Sequence, residues 1–155
     1  MIGRDGLNAV AKHLDGRGKP TILTELIEER LGLSNQERII NGVYRENFDI
    51  ARVAPLVVEA AEAGDIECAR ILNKATFELF EHVRVLVNSI EDSKGSRSKI
   101  PVAFIGSLIS NDNVYRKILT QKITFSMPQV SVIVPESSPT YGAVLMAIRT
   151  AQDEA

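Results

Sequence analysis

The hydrophobic residues of the first 92 positions recur every three or four residues, which is the spacing of one face of an α-helix. Glycines, prolines and short polar runs interrupt this pattern and mark the ends of the segments. The pattern predicts about five helices, in the stretches GRDGLNAVAKHL, TILTELIEERLGL, SNQERIINGVYR, IARVAPLVVEAAEAG and DIECARILNKATFELFEHVRVLVNSIED.

The starts and faces of these helices can also be predicted. Asp65 precedes the longest stretch and is the predicted cap of its first turn, because a carboxylate accepts hydrogen bonds from free backbone N–H groups. Ser34 is the predicted N-cap of the third stretch, with Glu37 completing a capping box. Additional apolar residues widen the stripe of the longest helix and predict its burial on two sides; they are Ile71, Phe77, Phe80 and Val87.

The pattern changes after a polar segment at residues 93–100, which is the predicted linker. IPVAFIG and VSVIVP are short apolar runs without polar alternation, typical of strands covered on both faces. About twenty residues of helical pattern lie between them, so the strands are predicted to pair in parallel, and a last helix follows in TYGAVLMAIRTAQDEA. The predicted fold is α/β, with a helical layer at 1–92 and a βαβα unit at 101–155 in one compact domain.

Composition and charge exclude several classes of function. The 18 Lys and Arg residues are scattered among 20 Asp and Glu residues, so no nucleic-acid surface is predicted. The longest apolar runs are too short to cross a bilayer and no signal peptide pattern is present, which predicts a cytoplasmic protein without membrane contact. One cysteine and two histidines leave neither a disulfide framework nor a soft-metal cluster, so no metal site is predicted.

The candidate binding residues follow the two predicted strands. In parallel sheets, ligands bind beyond the carboxyl ends of the strands, and Gly106 and Ser107 occupy that position after the first strand. Gly142 and Ala143 lie in the first turn of the helix after the second strand, where small residues could admit a flat ligand. Because the two loops are predicted to face each other across one edge of the sheet, a joint site is favoured over two separate ones.

Structural explanations compete with this site. Gly106 could simply permit a turn, Asn111 or Asp112 could cap the next helix, and the Gly142-Ala143 pair could serve helix packing. No catalytic residue is assigned, because neither loop offers a phosphate-binding lysine, and Asp112 and Glu136 are their only acidic residues.

Three other features have structural explanations that we favour. The DGRG stretch at 15–18 could grip a phosphate or carboxylate through Arg17, but a helix-ending turn is the commoner use. His13 and His82 lie in helical patterns without partners of ligand-like spacing. Cys68 is predicted to be a small buried group.

Four stretches together resemble the carboxyl-terminal half of the BadF/BadG/BcrA/BcrD ATPase family, which includes N-acetylglucosamine kinases. They are IGRDGLNAVAKHLDGRGKPTILTELI, APLVVEAAEAGDIECARIL, VAFIGSLISN and PTYGAVLMA, in that order. The resemblance implies the actin-like and sugar-kinase superfamily, in which two ribonuclease-H-like lobes close around ATP and an acceptor. It also implies that Gly106 and Ser107 belong to an adenosine-binding motif, with Gly142 and Ala143 supporting it from the last helix.

The sequence departs from the family pattern at its start. The glycine-rich Asp-Gly-Gly-Gly-Thr phosphate loop, the catalytic aspartate and the Gly-Asp-Glu-Gly-Ser stretch are not found in the 155 residues. We therefore expect the second lobe alone, inactive by itself, with ATP or ADP and the amino-terminal lobe as partners and Mg²⁺ in the full-length enzyme. A sheet of two strands with uncovered apolar surface also predicts self-association as a homo-oligomer.

Two other functions stay open at this point. One is a non-catalytic helical interaction module that uses the α/β tail as a scaffold. The other is the activator ATPase of a dehydratase or benzoyl-reductase type, the second branch of the same family. That branch is marked by cluster-binding cysteines, and Cys68, well inside a predicted helix, is poorly placed for such a role.

Overall fold

The computed structural model of the chain describes residues 1–94 and 99–153. In these residues there are seven α-helices and a two-stranded sheet, which confirms the predicted mostly helical α/β fold with five helices before a βαβα unit. In chain order the elements are α1 (Ile2–Leu14), α2 (Leu23–Leu31), α3 (Gln36–Arg45), a 3₁₀ turn (Ile50–Val53), α4 (Ala54–Glu62), α5 (Ile66–Lys94), β1 (Ile100–Ala103), α6 (Val114–Ser126), β2 (Val130–Ile133) and α7 (Pro139–Asp153). Residues 95–98 of the predicted linker lie outside the described residues.

The helical front, α1 to α5, is built around the amino-terminal half of α5. Its hydrophobic positions meet α1 and α4, and fully buried side chains fill the space between them, including Val10, Val57 and Leu72. Helices α1 and α4 approach closely at Gly6, where a Cβ atom would lie 2.7 Å from a methyl group of Val57. The core continues without a break to α6 and to Val130 of β2.

The helix starts agree in part with the sequence. Asp65 caps α5 as predicted, because its Oδ1 accepts a hydrogen bond from the backbone N–H of Cys68 at 2.8 Å. Its Oδ2 also accepts from the backbone N–H of Ile22 at 2.6 Å, which ties the start of α2 to the start of α5. The prediction that Ser34 caps α3 is wrong: Asn35 is the N-cap, and its side chain accepts from the backbone N–H of Arg38 at 2.9 Å.

The two strands pair in parallel, as predicted, from Ile100 opposite Val130 to Ala103 opposite Ile133. The prediction that both faces of the strands are covered is wrong for the described residues. Along β1 the residues alternate between half-buried and exposed, because only one face of the sheet packs on the core. Pro101, Ala103 and Ile133 lie on the exposed face.

Two helices bury less than their patterns predict. In α5, Ile71, Phe80 and Val87 are buried, but Phe77 is 52% exposed and Leu86 is 65% exposed. The ammonium group of Lys122 covers part of Phe77, at 4.9 Å from its ring centre. In α7 no described residue is buried.

Across the described residues, none of the helices combines the length and the apolar character that crossing a membrane requires.

Candidate functional site

The carboxyl ends of β1 and β2 open into one cleft, which we call the strand-end cleft. Its walls come from the 104–113 loop after β1, the 134–139 segment after β2 and the first turn of α6. The cleft has a volume of about 810 Å³, within the range of about 300–1,000 Å³ that small-molecule sites occupy. Its lining residues are Phe104, Ile105, Gly106, Ser107, Ser110, Asp112, Arg116, Val134, Pro135, Ser137, Ser138 and Pro139.

Gly106 and Ser107 therefore lie where the sequence places them, at the tip of the first strand and in the cleft. Gly106 has a φ of 135°, a conformation that residues with a side chain rarely adopt. An added Cβ would meet only a methyl group of Ile109, at 3.9 Å, so backbone conformation rather than lack of space explains the glycine. This supports the turn explanation, and the binding role of both residues stays a prediction.

Gly142 and Ala143 lie in the first turn of α7, beside the cleft and not among the residues that line it. A Cβ at Gly142 would meet no atom of the described residues within 4 Å, so close helix packing does not explain the glycine. Helix α7 begins at Pro139, and the hydroxyl of Ser138 accepts a hydrogen bond from the backbone N–H of Tyr141 at 3.3 Å. The contribution of Gly142 and Ala143 to binding also stays a prediction.

Neither of the two residues proposed as caps, Asn111 or Asp112, begins α6. Asn113, and neither Asn111 nor Asp112, is the N-cap: its side-chain oxygen accepts from the backbone N–H of Arg116 at 2.9 Å. Its amide nitrogen donates to the carbonyl of Leu108 at 2.7 Å, so the same side chain also holds the loop. Asn111 donates to the carbonyl of Ser107 at 2.6 Å.

The two charged residues of the cleft are Asp112 and Arg116. The Asp112 carboxylate is highly exposed and lies 3.4 Å from the ammonium group of Lys117. The half-buried Arg116 donates to two loop carbonyls, of Ile109 and Ser110. Sequence reasoning missed Arg116 and the serines at 110, 137 and 138. The pair of serines four residues after the end of β2 was the available signal for the last two.

The other candidates have structural roles. Arg17 donates to the carboxylate of Asp15 within the turn after α1, so the helix-ending explanation of DGRG is supported. His13 bonds the hydroxyl of Thr24 at 2.8 Å. Cys68 is fully buried, as predicted, and burial raises the pKa of its thiol to about 12. Among the described side chains, those of residues 1–90 and 99–153, no group of three or more from His, Cys, Asp or Glu is close enough together to hold a metal ion.

Comparison with known proteins decides the family. The model of the BadF/BadG/BcrA/BcrD ATPase family matches residues 1–147. The chain belongs to this family. Its similarity to the family covers both the helical front and the strand-end cleft, so the cleft lies in a protein related to ATPases.

Two curated relatives are kinases. The chain is 30% identical over 149 residues to the N-acetylmuramic acid/N-acetylglucosamine kinase of Clostridium acetobutylicum, a match that covers 94% of this chain and 48% of that protein. It is 29% identical over 156 residues to the N-acetyl-D-glucosamine kinase of Dictyostelium discoideum, covering 97% of this chain and 48% of that protein. The chain thus spans about half the length of the curated relatives that it matches.

Proposed function

We propose that this chain is the carboxyl-terminal lobe of an ATP-dependent kinase for amino sugars of the N-acetylglucosamine type. In this proposal the strand-end cleft binds the adenosine part of ATP or ADP, and the amino-terminal lobe of the same cytoplasmic enzyme supplies the phosphate loop and the catalytic aspartate. The chain alone transfers no phosphoryl group. The observation on which the proposal rests is that one open cleft joins the ends of two parallel strands in a member of an ATPase family.

The lining of the cleft suits a nucleoside better than a phosphate chain. Phe104, Ile105, Val134 and Pro135 supply apolar surface for a flat base, and four serine hydroxyls can bond a ribose or the edge of a base. The one cation of the lining, Arg116, already donates to two carbonyl groups. Because γ-phosphate and Mg²⁺ sites need concentrated charge, we assign both to the full-length enzyme and not to this cleft.

Cys68 supports the kinase branch over the activator branch of the family. A cluster ligand must be a thiolate that can reach the metal. Cys68 is fully buried inside α5, and its thiol stays protonated at neutral pH because burial raises its pKa to about 12. Both curated relatives named above are also kinases.

Nucleotide titration tests the proposal. Adenosine, AMP and ADP are added in turn to labelled chain up to millimolar concentration, and the amide signals of Gly106, Ser107 and Gly142 are followed by NMR. We expect saturable shifts with all three ligands and none with ribose 5-phosphate, which lacks the base. If adenosine and AMP leave these signals unchanged, the adenosine site is wrong and a non-catalytic helical interaction module becomes the better explanation.

A pair of glycine variants makes the test specific to the cleft. Gly106→Ala forces a side chain into a φ of 135°, at a cost of about 1–3 kcal/mol, so AMP should bind roughly tenfold more weakly or worse. Gly64→Ala is the control, because Gly64 also has a positive φ of 94° and open space around it but lies in the turn between α4 and α5, outside the lining of the cleft. Equal affinity losses in both variants would contradict the proposed site.

A further inference from the structure

We infer that Arg116 is the positioning residue that holds the 104–113 loop in its ligand-binding shape. This inference rests on the proposed adenosine site, since it assigns the side chain that forms one wall of it. The loop is ten residues long and has no regular secondary structure between β1 and α6, so its shape depends on side-chain contacts.

Arg116 links the first residue of this loop to residues in its second half. Its Nη1 donates to the carbonyls of two consecutive residues late in the loop, to Ile109 at 3.3 Å and to Ser110 at 3.2 Å. Its guanidinium carbon also lies 5.7 Å from the ring centre of Phe104, the first residue of the loop. One planar cation thus contacts both the first residue and the second half of the loop.

Ser110 makes two further hydrogen bonds within the loop. The backbone N–H of Ser110 donates to the carbonyl of Gly106 at 2.9 Å, and its hydroxyl donates to the carbonyl of Phe104 at 3.5 Å. Both bonds require Ser110 to stay where the guanidinium holds its carbonyl. Loss of Arg116 should therefore loosen the turn at Gly106, although Arg116 itself does not bond that residue.

Arginine has a geometric advantage at this position. A guanidinium can donate to two carbonyls while its flat face lies on an aromatic ring. An ammonium group is a compact charge and is less suited to making all of these contacts at the same time. The backbone N–H of Arg116 is the donor to Asn113, so the residue is also fixed in the first turn of α6. A lysine at this position should therefore hold the 104–113 loop in part, and an uncharged side chain should not hold it.

The experiment compares Arg116→Met and Arg116→Lys with the wild-type chain, first without nucleotide and then with AMP. In the free chain we expect hydrogen exchange at the Ser110 amide to become roughly tenfold faster in Arg116→Met, the size of effect that follows from losing a hydrogen bond to a charged donor. The AMP affinity should fall by a similar factor. Arg116→Lys should be intermediate in both measurements, and circular dichroism should show that both variants stay folded.

Arg84→Met is the matched control. Arg84 bonds Glu81 on the exposed surface of α5 and lies outside the lining of the cleft, so neither measurement should change. Weaker AMP binding without faster Ser110 exchange would mean that Arg116 contacts the ligand directly, and it would overturn the inference. Faster exchange with unchanged AMP affinity, or no change in either, would overturn it as well. A wild-type chain that binds no AMP would refute the proposed function, and the exchange data would still decide whether Arg116 orders the loop.

Discussion

Helices α4 and α7 carry similar hydrophobic patterns but have different surroundings. Helix α4, in the helical front, buries Leu56, Val57, Val58 and Ala60 against its neighbours. Helix α7, in the C-terminal unit of β1 to α7, buries none of its described residues, and its large apolar side chains are 49–73% exposed; they are Tyr141, Val144, Leu145, Met146 and Ile148. A hydrophobic repeat thus shows which face of a helix is suited to burial, but not whether a partner covers it.

The sheet repeats this contrast on a smaller scale. Its inner face packs on the common core through Val130, whereas Pro101, Ala103 and Ile133 are exposed on the outer face. The strand-end cleft lies beside the boundary between the buried core and the exposed apolar surface of the C-terminal unit. The stability of the fold should therefore depend on the helical front, and ligand binding and association on the C-terminal unit.

The largest expected difference is between two leucines. Leu72→Ala removes a fully buried side chain from the core and should lower the free energy of unfolding by about 2–5 kcal/mol. Leu145→Ala removes a side chain that is already 49% exposed in α7, and the change should stay within about 0.5 kcal/mol. Urea denaturation of both variants measures the difference, and similar losses would show that α7 is covered in solution.

The second difference is between two aspartates. Asp65 is buried and accepts backbone hydrogen bonds from Ile22 and Cys68, so Asp65→Asn should lower the free energy of unfolding by about 1–3 kcal/mol at neutral pH. Asp49 is exposed and accepts one such bond, from Ala51, so Asp49→Asn should change it by no more than about 0.5 kcal/mol. Equal effects of the two substitutions in urea denaturation would contradict a structural role for the buried carboxylate.

The Asp65 effect should depend on pH in a defined direction. Burial alone would raise the pKa of this carboxyl, but hydrogen bonds from Cys68, Thr21 and Ile22 outweigh burial and lower it below the ordinary value of 3.8. A carboxyl with a lowered folded pKa stabilises the fold fully above its unfolded pKa, and this contribution is lost as the pH falls through the folded value. The difference in the free energy of unfolding between wild type and Asp65→Asn should thus shrink below about pH 3.8. Urea denaturation curves at a series of pH values measure this difference.

Much of the fold could be predicted because it depends on local pattern. Asp65 is predictable as a cap since no other capping side chain stands directly before that helix. Ser34 and Asn35 are adjacent, and serine and asparagine are favoured about equally as N-caps, so the sequence does not decide between them. In the structure Asn35 has the extended backbone of an N-cap, with φ −151° and ψ 170°. The exposure of Phe77 and of the outer sheet face depends on which elements lie nearby, and the sequence pattern does not carry that information.

The site shows the same division. The meeting of the two strand ends follows from the order strand, helix, strand, because a crossover of this kind makes the strands parallel neighbours. The role of Arg116 could not be predicted in this way, because it depends on a side chain reaching back to carbonyls six and seven residues earlier.

The third difference is between two asparagine caps. Asn35 and Asn113 each accept a hydrogen bond of 2.9 Å from a backbone N–H in the first turn of their helices, so replacing either with alanine should cost about 0.5–2 kcal/mol. Asn113 also donates to Leu108 in the cleft loop. Only Asn113→Ala should therefore weaken AMP binding, as isothermal titration calorimetry can measure. A similar loss of AMP affinity in Asn35→Ala would show that binding does not depend on the contact between Asn113 and the 104–113 loop.

The smallest expected effect concerns association. We propose that the exposed apolar side chains of α7 and the outer sheet face make the chain self-associate at high concentration, since contiguous apolar surface favours contact between copies. Tyr141→Ser removes a 55% exposed ring from α7 and should weaken association by about 1 kcal/mol or less, roughly fivefold, without changing the free energy of unfolding.

Tyr44→Ser is the control, because Tyr44 is 82% exposed on α3 in the helical front and lies apart from this surface. Light scattering over a range of concentrations measures the effect. A wild-type chain that stays monomeric throughout, or equal effects of the two variants, would show that the open face of the C-terminal unit does not drive contact between copies.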